Sequence, residues 1–285
     1  MQAFVDCVHC YLKQAVTCMS IAGIDVDRQH QILFELMDDI KIMDRLRTPA
    51  ENSTEMLLKV YKLINSADPY KEIKIKSNEM ALELYSGLRD YLDRSPDRLR
   101  EALKISVSGN VIDLGINRTF DINASLEESL KNGFSRDDYH SFVRILDDVE
   151  DVVIVGDNSG EIVFDRLLAE ELSHLGKRVT YIVKGGPILN DATQEDALQS
   201  GINKTARVIT TGSNYLGAPL KKVSGEVINL LEKSRLIISK GQANFESLED
   251  EALARGRIFF LLKIKCESVA KVAGSTFGDI VFFKR

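Results

Sequence analysis

From Phe4 to about Leu146 the apolar residues recur mostly at spacings of three and four, as in Ile32, Leu33, Leu36, Ile40 and Met43, and again in Met56, Leu57, Val60, Leu63 and Ile64. That is the period of a helix with one buried stripe. Breakers at Gly23, Thr48-Pro49, Asp68-Pro69 and Ser95-Pro96 divide the run. Ser95-Pro96-Asp97 reads as an N-cap followed by proline at the first helical position. No strand-like alternation interrupts this half, so residues 1–148 are predicted to form an all-α region of about six to eight helices.

After Glu150 the period changes. Val152-Val153-Ile154-Val155 is a continuous β-branched run, closed by Gly156-Asp157-Asn158-Ser159-Gly160. A helical pattern follows through Ile162, Val163, Leu167, Leu168 and Leu172. Apolar runs return at 178–183, 207–211, 236–239, 258–262 and 280–283, separated by turns and helical stretches. Continuous apolar strands alternating with helices make βαβ units, so residues 149–285 are predicted to be an α/β domain with a mostly parallel sheet covered on both faces.

In such a sheet, ligands bind beyond the carboxyl ends of the strands. The residues that follow each strand therefore carry the chemistry. They include Asp157 and Asn158 after the first, and Lys184, Gly185-Gly186 and Asn190-Asp191 after the second. Gly212-Ser213 follows the third, Lys240-Gly241-Gln242-Ala243-Asn244-Phe245-Glu246 spans the end of the fourth, and Lys265-Cys266 follows the fifth. Asp157, Asn158 and Asp191 are hard oxygen donors suited to a divalent cation. Lys184, Lys240 and Lys265 are point charges for an anion. Gly185-Gly186 and Gly212-Ser213 would offer backbone N–H groups to a phosphate if they open helices. Taken singly, each Asx residue reads first as a turn or helix cap, and each lysine as a solvated rim residue. Their shared position on one rim favours a site. Gly156-x-x-x-Gly160 is not a dinucleotide fingerprint, and no P-loop is present.

Composition narrows the partners. The chain has 285 residues, 44% apolar and 28% charged, with a net charge of −6. A broad nucleic-acid-binding face is not expected from that balance. No apolar run approaches the roughly 20 residues that cross a bilayer, and the first residues lack the pattern of a signal peptide. A cytoplasmic protein without a membrane partner is expected. Of the four cysteines, Cys7 and Cys10 stand one helical turn apart. With Cys266, and with Cys18 or His9, they form a second metal site, or all four are reduced, partly buried thiols.

The Gly156-Asp157-Asn158-Ser159-Gly160-Glu161 segment, Lys184 with Asn190-Asp191, and Lys240-Gly241-Gln242-Ala243-Asn244-Phe245-Glu246 together resemble one family, that of the metal-dependent damage-control phosphatases. Cys7-x-x-Cys10-Tyr11 and Ser108-Gly109-Asn110-Val111-Ile112-Asp113 resemble its small prokaryotic branch. The resemblance spans the chain. It implies a helical N-terminal region packed on a Rossmann-like three-layer α/β/α domain. It also implies a divalent cation (Mg, Mn, Co or Ni) held by Asp157, Asn158 and Asp191, and hydrolysis of a small phosphorylated metabolite. Lys240 and Asn244 then close the phosphate side, while Asn110 and Asp113 reach the same cleft from the helical half.

Residue chemistry assigns the remaining roles. Lys240 would neutralise charge on the phosphoryl oxygens, and Glu246, or a carboxylate in the metal shell, is the candidate base, since all four histidines fall in helical stretches or at their ends. Two other readings stay open. One is an S-adenosylmethionine-dependent carboxyl methyltransferase, an activity also ascribed to relatives. The other is a non-enzymatic protein that binds a metal or phosphate.

Overall fold

A computed structural model describes residues 1–109 and 133–285. Asn110 and Asp113 lie outside the described residues. Five helices come first: α1 (Cys7–Ile21), α2 (Val26–Lys41), α3 (Pro49–Leu63), α4 (Lys71–Asp93) and α5 (Arg98–Ser108). A short strand β1 (Arg136–Asp137) and helix α6 (Tyr139–Asp147) follow. The α/β half then runs β2 (Asp151–Val155), α7 (Glu161–His174), β3 (Arg178–Val183), α8 (Gln194–Ser200), β4 (Arg207–Thr210) and α9 (Gly225–Lys233). It ends with β5 (Ile237–Lys240), α10 (Gln242–Leu248), β6 (Ile258–Lys263), α11 (Glu267–Ala273) and β7 (Ile280–Lys284).

Local chemistry accounts for the helix starts. Thr48 accepts from the Glu51 N–H while the Glu51 side chain returns to Thr48, a capping box with Pro49 in the first turn. The predicted cap at Ser95 is displaced by two residues. Asp97 does the capping, accepting from Arg100 N–H at 3.0 Å, because its carboxylate reaches the orphan donors of the first turn. Asn190-Asp191 opens no helix at all. Thr193 and Asp196 form the capping box of α8 instead, which leaves the Asp191 side chain to another task.

The seven strands lie in the order β1-β7-β6-β5-β2-β3-β4. All neighbours pair in parallel except β6 and β7, where Leu261 faces Phe282 in antiparallel register. The mixed α/β fold and mostly parallel sheet thus match the expectation from the sequence. The sheet begins earlier than expected: Arg136 and Asp137, within the stretch read as helical, pair with Val281 and Phe282. A two-residue strand is too short for alternation to mark it.

Alternate residues of each strand enter different cores, as the pleat demands. Ile154, Tyr181, Ile238, Phe259 and Phe282 pack with α4, α5, α6 and α7. Val153, Val155, Ile182, Ile237, Phe260 and Phe283 pack with α9, α10 and α11. Helices α1, α2 and α3 build a third core, which takes in Ile188 and Leu216 from loops beyond β3 and β4. The helical half is therefore packed on one face of the sheet and against its carboxyl rim.

Candidate active site

Strands β2 and β5 are neighbours, with β3 and β4 to one side and β6 and β7 to the other. The chain changes direction between them, and it is at such a switch point that a doubly wound sheet binds its ligand. Asp157 follows β2 and Gly241 follows β5. Gly241 has φ +78°, and any Cβ there would overlap the Asp157 carboxylate. Glycine is required on both counts.

The loop after β2 is pinned to the loop after β3. Ser159 N–H donates to Asn190 O at 2.8 Å, Ala192 N–H donates to Asp157 O at 2.8 Å, and Asn158 and Asp191 form an isolated antiparallel bridge. These bonds bring Asp157, Asn158 and Asp191 together, as their positions at neighbouring strand ends predict. All three are buried. Asn158 Nδ2 donates to Asp157 Oδ2 at 3.1 Å. Among the described residues, Asp191 Oδ2 faces the Lys184 ammonium at 3.3 Å and has no other partner.

Two clusters that the strand ends do not announce support these residues. Asn78 on α4 accepts from Gly160 N–H at 2.6 Å and donates to Asp196 Oδ1 at 2.9 Å, while Ser159 Oγ donates to the same oxygen at 3.0 Å. Tyr61 on α3 accepts from Leu189 N–H at 2.9 Å, at a residue held at φ +42°. In the second cluster the fully enclosed Lys240 ammonium donates to Ser106 O at 3.0 Å, Glu161 Oε1 at 2.9 Å and Asp165 Oδ1 at 2.6 Å. Ser106 Oγ and Tyr181 OH donate to the two Asp165 oxygens at 2.5 and 2.6 Å.

This geometry changes several expected roles. Lys240 has three N–H groups and three protein acceptors, so none is left for a phosphate. Gly212-Ser213 does not open a helix, since α9 begins only at Gly225. Gly185 N–H is engaged by Ser213 O at 2.8 Å and by Thr211 Oγ1 at 3.1 Å. The Ser213 hydroxyl is buried without a partner among the described residues. Asn244 donates to Gly156 O at 2.9 Å and to Lys240 O at 2.7 Å, tying the two strand ends together, and its Oδ1 has no partner among the described residues. Lys184 donates to Gly217 O at 2.5 Å in addition to facing Asp191. Lys265 is exposed at the rim, and its charge partly offsets the rise that burial imposes on Asp157 and Asp191.

Burial dominates the electrostatics of the rim carboxyls. Burial, and then repulsion from Asp191, push the Asp157 carboxyl up to about 7. Burial pushes Glu161 up to about 7 against the pull of Lys240, and raises Asp191 against the pull of Lys184. Glu246 is raised to about 7 by burial, with Gln242 donating to its Oε1 at 3.0 Å. Burial opposes the charge on Lys240, but Asp165 and Glu161 overcome it and raise its pKa. All four histidines lie exposed on helices.

The cysteines approach one another without making a preformed metal centre. Burial raises the Cys7 and Cys10 thiols, and both also feel Cys266 and Glu246. Cys266 caps α11 through Val269 N–H and accepts from Gln242 Nε2 at 3.7 Å. Cys18 is buried in the core of α1–α3. Among the described residues, no three His, Cys, Asp or Glu side chains are gathered to hold an ion. The expected site at Cys7, Cys10 and Cys266 is thus not assembled. The Asp157–Asp191 pair supplies two carboxylates, and its third donor would be the Asn158 amide.

No helix among the described residues is long and apolar enough to cross a membrane. The model of the damage-control phosphatase ARMT1-like domain matches residues 3–281. An uncharacterised protein of Methanocaldococcus jannaschii is 36% identical over 98% of this chain and 94% of its own. A damage-control phosphatase of Pyrococcus horikoshii is 34% identical over 95% of this chain and 94% of its own. The crystal structure of a DUF89 family protein from Pyrococcus horikoshii superposes with a TM-score of 0.91 at 31% identity, covering 100% of this chain and 99% of that one. The chain belongs to the ARMT1-like damage-control phosphatase family.

Proposed function

We propose that the protein is a divalent-metal-dependent phosphatase acting on a small phosphorylated metabolite, with Asp157, Asn158 and Asp191 holding the cation. The observation that carries this reading is the pair of buried carboxylates at the switch point, where Asp191 repels Asp157 and, among the described residues, Asp191 Oδ2 is faced by the Lys184 ammonium alone. Two carboxylates and one amide suit Mg²⁺ or Mn²⁺ and leave positions open for water and substrate. The family and its named phosphatase members support the reaction class.

When bound, the cation supplies Lewis-acid activation of a phosphoryl oxygen and lowers the pKa of nearby water. Lys265, exposed at the rim, neutralises the incoming phosphate dianion. Lys184 holds Asp191 in place. Glu246, whose carboxyl is pushed to about 7, takes a proton from the attacking water at its carboxylate. Water adds to phosphorus as the bond to the ester oxygen breaks, the proton held on Glu246 passes to the departing oxygen to give an alcohol, and inorganic phosphate is released.

Release of inorganic phosphate from para-nitrophenyl phosphate, with and without Mn²⁺, tests the reading. It predicts turnover that EDTA abolishes and that Asp157→Asn lacks. Equal turnover in EDTA would overturn it.

A further inference from the structure

Lys240 is too well bonded to touch substrate, yet it stands at the centre of a polar chain that ends on Asn158. Its ammonium grips Glu161 Oε1 at 2.9 Å and is itself fixed by Asp165 and Ser106 O. The other oxygen, Glu161 Oε2, faces Asn158 Nδ2 at 3.5 Å, and Asp157 Oδ2 faces the same nitrogen at 3.1 Å. Lys240, Glu161 and Asp165 are 0–2% exposed, so water screens none of these contacts.

A side-chain amide has two ends of nearly equal size and opposite polarity. Only the oxygen end ligates a hard cation. With Nδ2 between two carboxylate oxygens, turning the amide over would set Oδ1 against both in a low-dielectric site. From this geometry we infer that Glu161, anchored by Lys240, is a positioning residue that fixes the Asn158 amide with its oxygen free for the cation. The inference rests on the metal reading of Asp157, Asn158 and Asp191. It assigns Lys240 to holding Glu161, in place of the substrate contact its strand-end position suggests.

The test is a double-mutant cycle read by Mn²⁺ titration calorimetry on the full chain. Glu161→Gln puts an amide opposite an amide and removes the preference, and a lost outer partner of a ligand typically weakens metal binding ~10–100-fold. Asn158→Asp supplies two equivalent oxygens, for which orientation is irrelevant. Glu161→Gln should therefore weaken Mn²⁺ at least tenfold more when Asn158 is intact than when it is combined with Asn158→Asp. An equal loss in both backgrounds, or no loss in either, would overturn the inference.

Wild-type NMR keeps the question open to refutation if a variant fails to fold. The Asn158 side-chain amide protons should be protected from exchange in the metal-free protein, and rapid exchange would overturn the clamp. A wild-type protein that ignores Mn²⁺ while keeping those protons protected would overturn the metal reading and support the clamp.

Discussion

Gly241 and Asp157 meet across the seam between β5 and β2 with no room for a side chain: a Cβ on Gly241 would stand 2.6 Å from even the farther carboxylate oxygen. Gly241→Ala should therefore displace Asp157 as well as strain a backbone at φ +78°. Destabilisation of more than about 1 kcal/mol is expected, together with loss of Mn²⁺-dependent phosphate release. A melt and an assay within error of the wild type would show that the loop moves aside freely.

Lys240→Met should unfold the protein more readily without acting through substrate. It leaves Glu161 and Asp165 as buried carboxylates without their cation, which costs on the order of 3–5 kcal/mol. Urea denaturation should show the loss. In the folded fraction, KM for para-nitrophenyl phosphate should stay near the wild-type value. A raised KM with unchanged stability would return Lys240 to the phosphate.

The metal-free protein should lose stability as pH rises from about 4 through about 7. Asp157, Glu161 and Glu246 each have a folded-state pKa above that of an ordinary carboxyl, near 7. Such a group favours the fold while protonated, and its contribution disappears as pH passes the raised value. Asp38, Asp151, Glu171 and Asp279 are shifted downward. Their contribution is lost only in acid, so the two windows separate. Thermal melts in EDTA read the decline, and Mn²⁺ at pH 7.5 should reverse it. A melting temperature flat from pH 4.5 to 7.5 in EDTA would remove the electrostatic case for a cation.

Thiol accessibility should single out one cysteine. Cys18 is buried, and its thiol is pushed up to about 12 by that burial, so little thiolate forms. In the native protein at pH 8, Cys18 should resist a disulfide reagent that titrates Cys7, Cys10 and Cys266. Alanine or serine at Cys18 identifies the silent thiol. Release of all four equivalents before unfolding would contradict the packing of α1.

The strands from β2 to β7 are legible in the sequence because residues buried on both faces leave continuous apolar runs. Asp157, Asn158 and Asp191 are legible because the carboxyl rim collects them. The role of Lys240 is not. The sequence shows where its strand ends but not that α5 and α7 cover it. The available signal is in α7, where Glu161 and Asp165 fall four residues apart among Ile162, Val163, Phe164 and Leu168. Two acids among those apolar neighbours need a buried base. Asn78 carries no comparable mark, since nothing in the pattern of α4 separates a residue that serves a distant loop from one that faces solvent.

Asn78 and Tyr61 also bear on how such a protein can diverge. Gly160 donates its hydrogen bond to a carboxamide 82 positions upstream, and Leu189 donates its own to a phenol 128 positions upstream. The α/β half is therefore not a portable cassette. Grafted alone onto another scaffold, it would carry the ligating side chains and lose the bonds that shape their loops. Recombination between relatives should succeed only when α3 and α4 travel with the segments they brace, and drift at positions 61 and 78 should be tied to drift in those loops.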